Sequence, residues 1–108
     1  MENRNRTISN LRDILKGKVW VYLKDEETCR RFYEDAEQEG FLFGKYLPTD
    51  AGIDDIIAIH KDKTLAHVGS VGHMAFHAPS SVDGGLLRID YAKYIAGDEN
   101  FYYSETEA

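Results

Sequence analysis

An α+β fold is what this chain predicts: one domain spanning 1–108, with a mixed or antiparallel sheet of about five strands, one long amphipathic helix packed across it and a short N-terminal helix. Three observations carry that expectation. With 108 residues, 43% hydrophobic and 30% charged, the chain has the size and balance of one globular unit with a single core. Cys29, Phe32, Tyr33 and Ala36 fall at i, i+3, i+4 and i+7, the spacing of a helix with one apolar face. Short β-branched and aromatic runs, KVWVYL, DIIAIH, TLAHVG and LLRIDY, are set off by glycine, proline and aspartate, which is how strands and turns alternate.

Taken in order, residues 1–6 are polar and expected to fray. TISNLRDILKG then reads as a short helix with Thr7 or Ser9 as N-cap and Gly17 past its end, since a hydroxyl there can accept from an orphan backbone N–H. Ile8, Leu11, Ile14 and Leu15 give it an apolar face. KVWVYL, 18–23, is a buried strand centred on Trp20. Over 25–39, Asp25 caps a helix, Glu26 and Glu27 suit its positive end, and Gly40 takes the left-handed position after it.

FLFGKYL, 41–47, reads as a second strand, parallel to the first if the two are neighbours joined by a right-handed crossover. PTDAGID is a loop. DIIAIH and TLAHVG flank Lys61, Asp62 and Lys63 as a tight hairpin. With Ile59 facing Leu65, Ile57 and His67 share a face, and Ala58 and Ala66 point the other way. GHMAFHA, 72–78, is expected as a strand, APSSVDGG as a loop, LLRIDY as a strand and YAKYIAG as a helical turn or edge segment. An acidic, aromatic tail follows, and 104–108 are expected to fray.

Charge limits the partners. Thirteen basic against 19 acidic residues leave a net −6, so the field disfavours nucleic acid. Arg4, Arg6, Arg12, Lys16 and Lys18 make the first 18 residues basic, whereas Asp25, Glu26, Glu27, Glu34, Asp35, Glu37 and Glu39 outweigh Arg30 and Arg31 in the main helix. That acidic row suits a host protein with a basic surface; its simpler role is a solvated face laced by Glu26–Arg30, Glu27–Arg31 and Arg31–Asp35 pairs. No apolar run approaches the roughly 20 residues of a membrane helix, and the start MENRNRTISN lacks a signal peptide's apolar stretch, so a cytoplasmic protein with no membrane contact is expected. The lone Cys29 is expected in the core, not in a disulfide or zinc site.

All four histidines, His60, His67, His73 and His77, lie between 60 and 77, and clustered histidines invite a metal or acid–base site. The spacing argues against one: His73 and His77 on a strand would stand about 13 Å apart, too far to share an ion unaided. The glycine run GSVGH offers a ligand site instead. There Gly69, Ser70 and Gly72 would expose backbone N–H groups to a phosphate, with His73, His77, Arg88 and Lys61 beside it. It matches neither a P-loop nor a dinucleotide fingerprint, and neither G-x-S-x-G nor H-E-x-x-H is present. No catalytic residue, metal ligand or cofactor is therefore expected, and a nucleotide or phosphate-containing small molecule is the ligand class. Tyr91, Tyr94, Phe101, Tyr102 and Tyr103 crowd the last part of the chain; they either cover a sheet face or join a second copy, and a homo-oligomer, a two-fold dimer, is the expectation.

The order LRDILKGKVWVYLKDEETCRRFYEDAEQEGF, with the ending RIDYAKYIAGDENFYY, resembles small proteins of Firmicutes phages and mobile elements. Some proteins of that build are immune-evasion factors, including sponges that sequester nucleotide signals. The resemblance implies a non-catalytic binding protein, an inhibitor that sequesters a nucleotide-type ligand or binds a host defence protein. The alternative from the residues is a small metal-assisted hydrolase or phosphodiesterase using the four histidines.

Overall fold

A computed structural model describes residues 6–14, 18–70, 72, 74 and 86–103. It is an α+β domain. The elements are α1 (Ile8–Ile14), β1 (Lys18–Tyr22), α2 (Glu26–Gln38), a single 3-10 turn (Pro48–Asp50), β2 (Ile56–Ile59), β3 (Leu65–His67), β4 (Leu86–Asp90) and α3 (Tyr91–Ala96). Four strands form one mixed sheet in the order β3-β2-β1-β4. β1 runs antiparallel to β2 and parallel to β4.

β1 lies centrally because it is apolar on both faces. Val19 and Val21 are buried on one side with Ile59, Ile57 and Ile89, which occupy matching register positions. Against this face α2 packs Cys29, Phe32, Tyr33 and Ala36, all buried, in one cluster with Ile8 and Leu11 of α1 and with Tyr91 and Tyr94 of α3. Trp20 and Tyr22 point to the opposite face, in register with Ala58, Ile56, Arg88 and Asp90.

The main helix forms as its sequence predicts. Asp25 accepts from the Thr28 amide at 2.8 Å, and Gly40 follows with φ 87°, a conformation glycine adopts without strain. Two of the three expected ion pairs are present, Arg30–Glu26 at 2.6 Å and Arg31–Asp35 at 3.0 Å. Thr7 is the cap of α1, accepting from the Asn10 amide at 3.0 Å. The hairpin has the expected register, Ile59 with Leu65 and Ile57 with His67. LLRIDY and YAKYIAG become β4 and α3, the latter ending on Gly97 at φ 91°.

Several expectations are corrected. Among the described residues the sheet has four strands, not about five. FLFGKYL is not a strand beside β1: Phe41 and Phe43 are buried and Leu42 is exposed, as alternation required, but Phe43 and Tyr46 exchange backbone hydrogen bonds at 2.9 and 2.8 Å across Gly44 at φ 58°. A tight turn therefore ends the extended run after three residues. The parallel neighbour of β1 is the distant β4. Where GHMAFHA was expected to extend, Ser70, Gly72 and Met74 carry helical backbone; the remainder of that segment, the loop 78–85 and the expected cap Gly17 lie outside the described residues.

Each sheet edge is met by a further stretch of chain. Leu42 bridges to Thr64 beside β3, with the Leu65 amide donating to the Leu42 carbonyl at 2.8 Å. On the far edge the tail runs along β4: the Asp90 amide donates to the Phe101 carbonyl at 2.8 Å and the Tyr103 amide to the Arg88 carbonyl at 2.9 Å. The aromatic tail is thus used within the domain, Tyr103 standing 4.6 Å from the Tyr22 ring and Phe101 5.1 Å from Tyr94.

Candidate functional site

Of the residues expected to bind phosphate, Lys61, Gly69, Ser70, Gly72 and Arg88 are among those described. Lys61 is exposed in the β2–β3 turn, its carbonyl accepting from Arg12 at 2.9 Å. Gly69, at φ 74°, and Ser70 are exposed. Gly72 is buried on the far sheet face: a Cβ built on it would stand 2.4 Å from the Val68 Cβ and 3.5 Å from the Trp20 ring, so its missing side chain serves close packing. Arg88 shares that face, in register with Trp20, its guanidinium 5.5 Å from the Tyr103 ring centre. Gly72 and Arg88 therefore lie on the Trp20 face, and Lys61 does not join them. His73 and His77 lie outside the described residues.

The other two histidines do not converge. In the hairpin register His67 shares the face of Ile57 and Ile59, whereas His60, one position past Ile59, belongs to the opposite face. Among the described residues no group of three histidine, cysteine or carboxylate side chains could hold a metal ion. His67 has a local role instead. Its Nδ1 lies 2.8 Å from Asp54 Oδ2, the two side chains being 44% and 21% exposed, and Phe43 stacks on the imidazole at 5.0 Å between ring centres.

That pair sits at one end of a chain of contacts leading to α2. Phe43 meets Tyr33 edge-on at 5.5 Å, and the Tyr33 hydroxyl donates to the Gly52 carbonyl at 2.6 Å. Burial pushes the Tyr33 hydroxyl pKa well up, with the Cys29 thiol and the Asp54 carboxylate adding to the shift, so it remains a donor. Further along, the Glu37 carboxylate accepts from the Thr49 hydroxyl at 2.5 Å and from its amide at 3.4 Å. Two tethers, one from each of Tyr33 and Glu37, thus hold the 48–53 segment against α2.

Between them lies a cleft of about 110 Å³ lined by Arg30, Tyr33, Glu34, Thr49, Ala51 and Ile53. Among the described residues the exposed large apolar side chains are Leu42 at 39%, Tyr46 at 71%, Leu47 at 46% and Ile53 at 48%, with Met74 and Tyr102 elsewhere in the chain. Leu42, Tyr46, Leu47 and Ile53 fall within a dozen residues of one another in sequence. Sequence reasoning missed this surface. The signal was present, since Tyr46, Leu47 and Ile53 are large apolar residues beside or inside a proline-, glycine- and aspartate-rich loop that gives them no core to fill.

Comparison with protein-family models, with curated proteins and with solved structures finds no match to this chain. No helix among the described residues is long and apolar enough to cross a membrane.

Proposed function

We propose that this chain is a non-catalytic binding protein that docks a protein partner, an inhibitor or sequestering factor of the kind its resemblance to phage and mobile-element proteins implies, acting in the cytoplasm. The observation that carries this is the set of exposed apolar side chains Leu42, Tyr46, Leu47 and Ile53, of which Ile53 lies on the segment tethered to α2. Clustered exposed apolar surface marks interfaces, and a tethered segment loses little entropy on binding. Self-association, expected from the sequence through the sheet face away from the main helix or through the aromatic tail, is the alternative use of exposed apolar surface, Tyr102 of the tail being 44% exposed.

A protein fits better than a nucleotide. Small-molecule pockets run to roughly 300–1,000 Å³, and the cleft against α2 holds about 110 Å³.

The alternative, a metal-assisted hydrolase or phosphodiesterase built on the histidines, has one observation in its favour: Asp54 orients His67 as a carboxylate orients a catalytic base. The cleft described here does not include His67.

The test is photo-crosslinking. A photoreactive amino acid replaces Leu47 in one chain and the exposed Asp13 in another, each expressed in the cells that carry the gene. A discrete protein adduct from position 47 and none from position 13 is expected. Equal labelling at both positions, or no protein adduct from either, would defeat the reading.

A further inference from the structure

We infer that the partner protein docks an extended segment of its chain along the outer edge of β3, beyond Leu42, through backbone hydrogen bonds to Leu65 and His67. This rests on the binding reading above and names the chemistry of what is bound.

The ladder fixes which backbone groups face outward. In an antiparallel pair, residues that exchange backbone hydrogen bonds alternate with residues that do not. The His60 amide donates to the Thr64 carbonyl at 2.9 Å, so in the register Ile59–Leu65, Ala58–Ala66, Ile57–His67 the bonded pair is Ala58–Ala66. The other side of β2 agrees. There the Leu23 amide donates to the Asp55 carbonyl at 2.7 Å, which turns the backbone groups of Ile57 and Ile59 toward β1. Leu65 and His67 therefore direct their N–H and C=O groups away from β2, out of the sheet.

Leu42 takes the first part of that edge. Its amide donates to the Lys63 carbonyl at 3.1 Å, and its carbonyl accepts from the Leu65 amide at 2.8 Å. A strand continued in parallel would bring residue 44 to the Leu65 carbonyl and the His67 amide, but Gly44 stands at φ 58° and the chain turns back through the Phe43–Tyr46 bonds. Among the described residues, the Leu65 carbonyl and the His67 amide and carbonyl are thus left without a backbone partner. The place is accessible, the His67 side chain being 44% and Leu42 39% exposed.

These groups select the occupant. A donor between two acceptors at strand spacing is matched by the backbone of an extended peptide, which is how a strand is added to an open sheet edge. Alternation selects one of its side chains. Phe43 and Leu65 are buried on the core face, so Leu42 and Ala66 belong to the opposite face. A residue docked opposite Ala66 in the lane of Leu42 meets both, and an apolar β-branched side chain suits that position.

The experiment titrates the isotopically labelled full chain with a blocked synthetic peptide of alternating threonine and valine, followed by amide chemical shifts. Shifts are expected to gather on Leu42, Leu65, Ala66 and His67. The same peptide N-methylated at its central residues keeps its side chains, loses its donors and should bind about tenfold more weakly. A peptide with serine for valine should also bind more weakly. His67→Ala changes only the side chain and should bind as the wild type does, whereas His67→Pro also removes the amide and should bind about tenfold more weakly. Proline is tolerated where an edge N–H faces outward, so His67→Pro should fold. Hydrogen exchange of the wild-type chain decides even if it does not: the His67 amide should exchange much faster than the Ala66 amide, and the peptide should slow it. The inference is overturned by no shift at this edge, by shifts gathered on another face, or by a His67 amide already protected in the chain alone. It is equally overturned if the N-methylated or serine peptide binds as well, or if His67→Ala weakens binding as much as His67→Pro. Movement of the same resonances on dilution of the chain alone would make a second copy the occupant and overturn it too. Failure here with a protein adduct still formed from position 47 removes only the edge assignment; loss of both removes the binding reading as well.

Discussion

At the scale of single residues, the core is specified by large side chains whose alternatives are costly. Phe32 is fully buried and meets Tyr91 edge-on at 4.9 Å. Phe32→Ala should therefore cost about 3–5 kcal/mol, against no more than ~0.5 for the exposed Glu34→Ala, as read from paired urea melts; equal costs would mean that the helix faces the other way. Gly72 gives a second case. Any Cβ there collides with Val68, so Gly72→Ala should destabilise by about 1–3 kcal/mol through overpacking on the Trp20 face. A neutral result in the same melts would place Gly72 in a looser environment than the one described. Glycine at 72 was expected to expose its backbone to a phosphate; sequence alone does not distinguish a glycine kept for a ligand from one kept for a close neighbour.

Among elements, α1 depends on α2 for its start. The Glu39 carboxylate accepts from the Ile8 and Ser9 amides at 2.9 and 2.8 Å, and the Tyr94 hydroxyl donates to the Thr7 carbonyl at 2.7 Å. A helix of seven residues is not stable alone, so Glu39→Ala should cost about 1–2 kcal/mol. Hydrogen exchange should show the loss as faster exchange through Ile8–Ile14, with the β1 amides little changed. Exchange raised uniformly over the domain would contradict a local capping role. Elements whose determinants are local were legible: the Asp25 cap, the Cys29–Phe32–Tyr33–Ala36 stripe, the Gly40 stop and the hairpin register all follow from spacing. What was not legible depended on distant partners. FLFGKYL has strand alternation, but Gly44 turns it; β1 pairs with β4 across most of the chain; and the Asp54–His67 pair joins a residue read as loop to one read as core. The docking surface was missed for the same reason, because exposure of Leu47 and Ile53 is decided by which parts of the core are already full.

For the molecule as a whole, three buried tyrosines tie the helices together and link stability to alkaline pH. Burial raises the hydroxyl pKa of Tyr33 and of Tyr91, the latter helped by its hydrogen bond to Asp35, and pushes Tyr94 up to about 12 against the pull of Arg6. A hydroxyl that holds its proton more tightly when folded contributes stability that is intact below the ordinary tyrosine pKa of about 10. The contribution is lost as pH rises from there through the folded value, because only the unfolded chain ionises in that window. Stability should accordingly fall between pH 10 and about 12, with ultraviolet titration showing Tyr33, Tyr91 and Tyr94 ionising as circular dichroism is lost. Ionisation of all seven tyrosines with the fold intact would contradict this account of the core.

The functional claim is likewise one about the surface: among the described residues, the exposed apolar side chains of the 42–53 stretch are the ones left for a partner on this reading. Native mass spectrometry of the chain purified from the cells that express it tests this most directly, comparing the wild type with a chain carrying Leu42→Ser, Leu47→Ser and Ile53→Ser together. The account predicts the 12.3 kDa chain in a complex with another protein, and the same complex missing from the substituted chain. A stoichiometric nucleotide or metal ion on the wild-type chain, released on denaturation and retained by the substituted one, would contradict it.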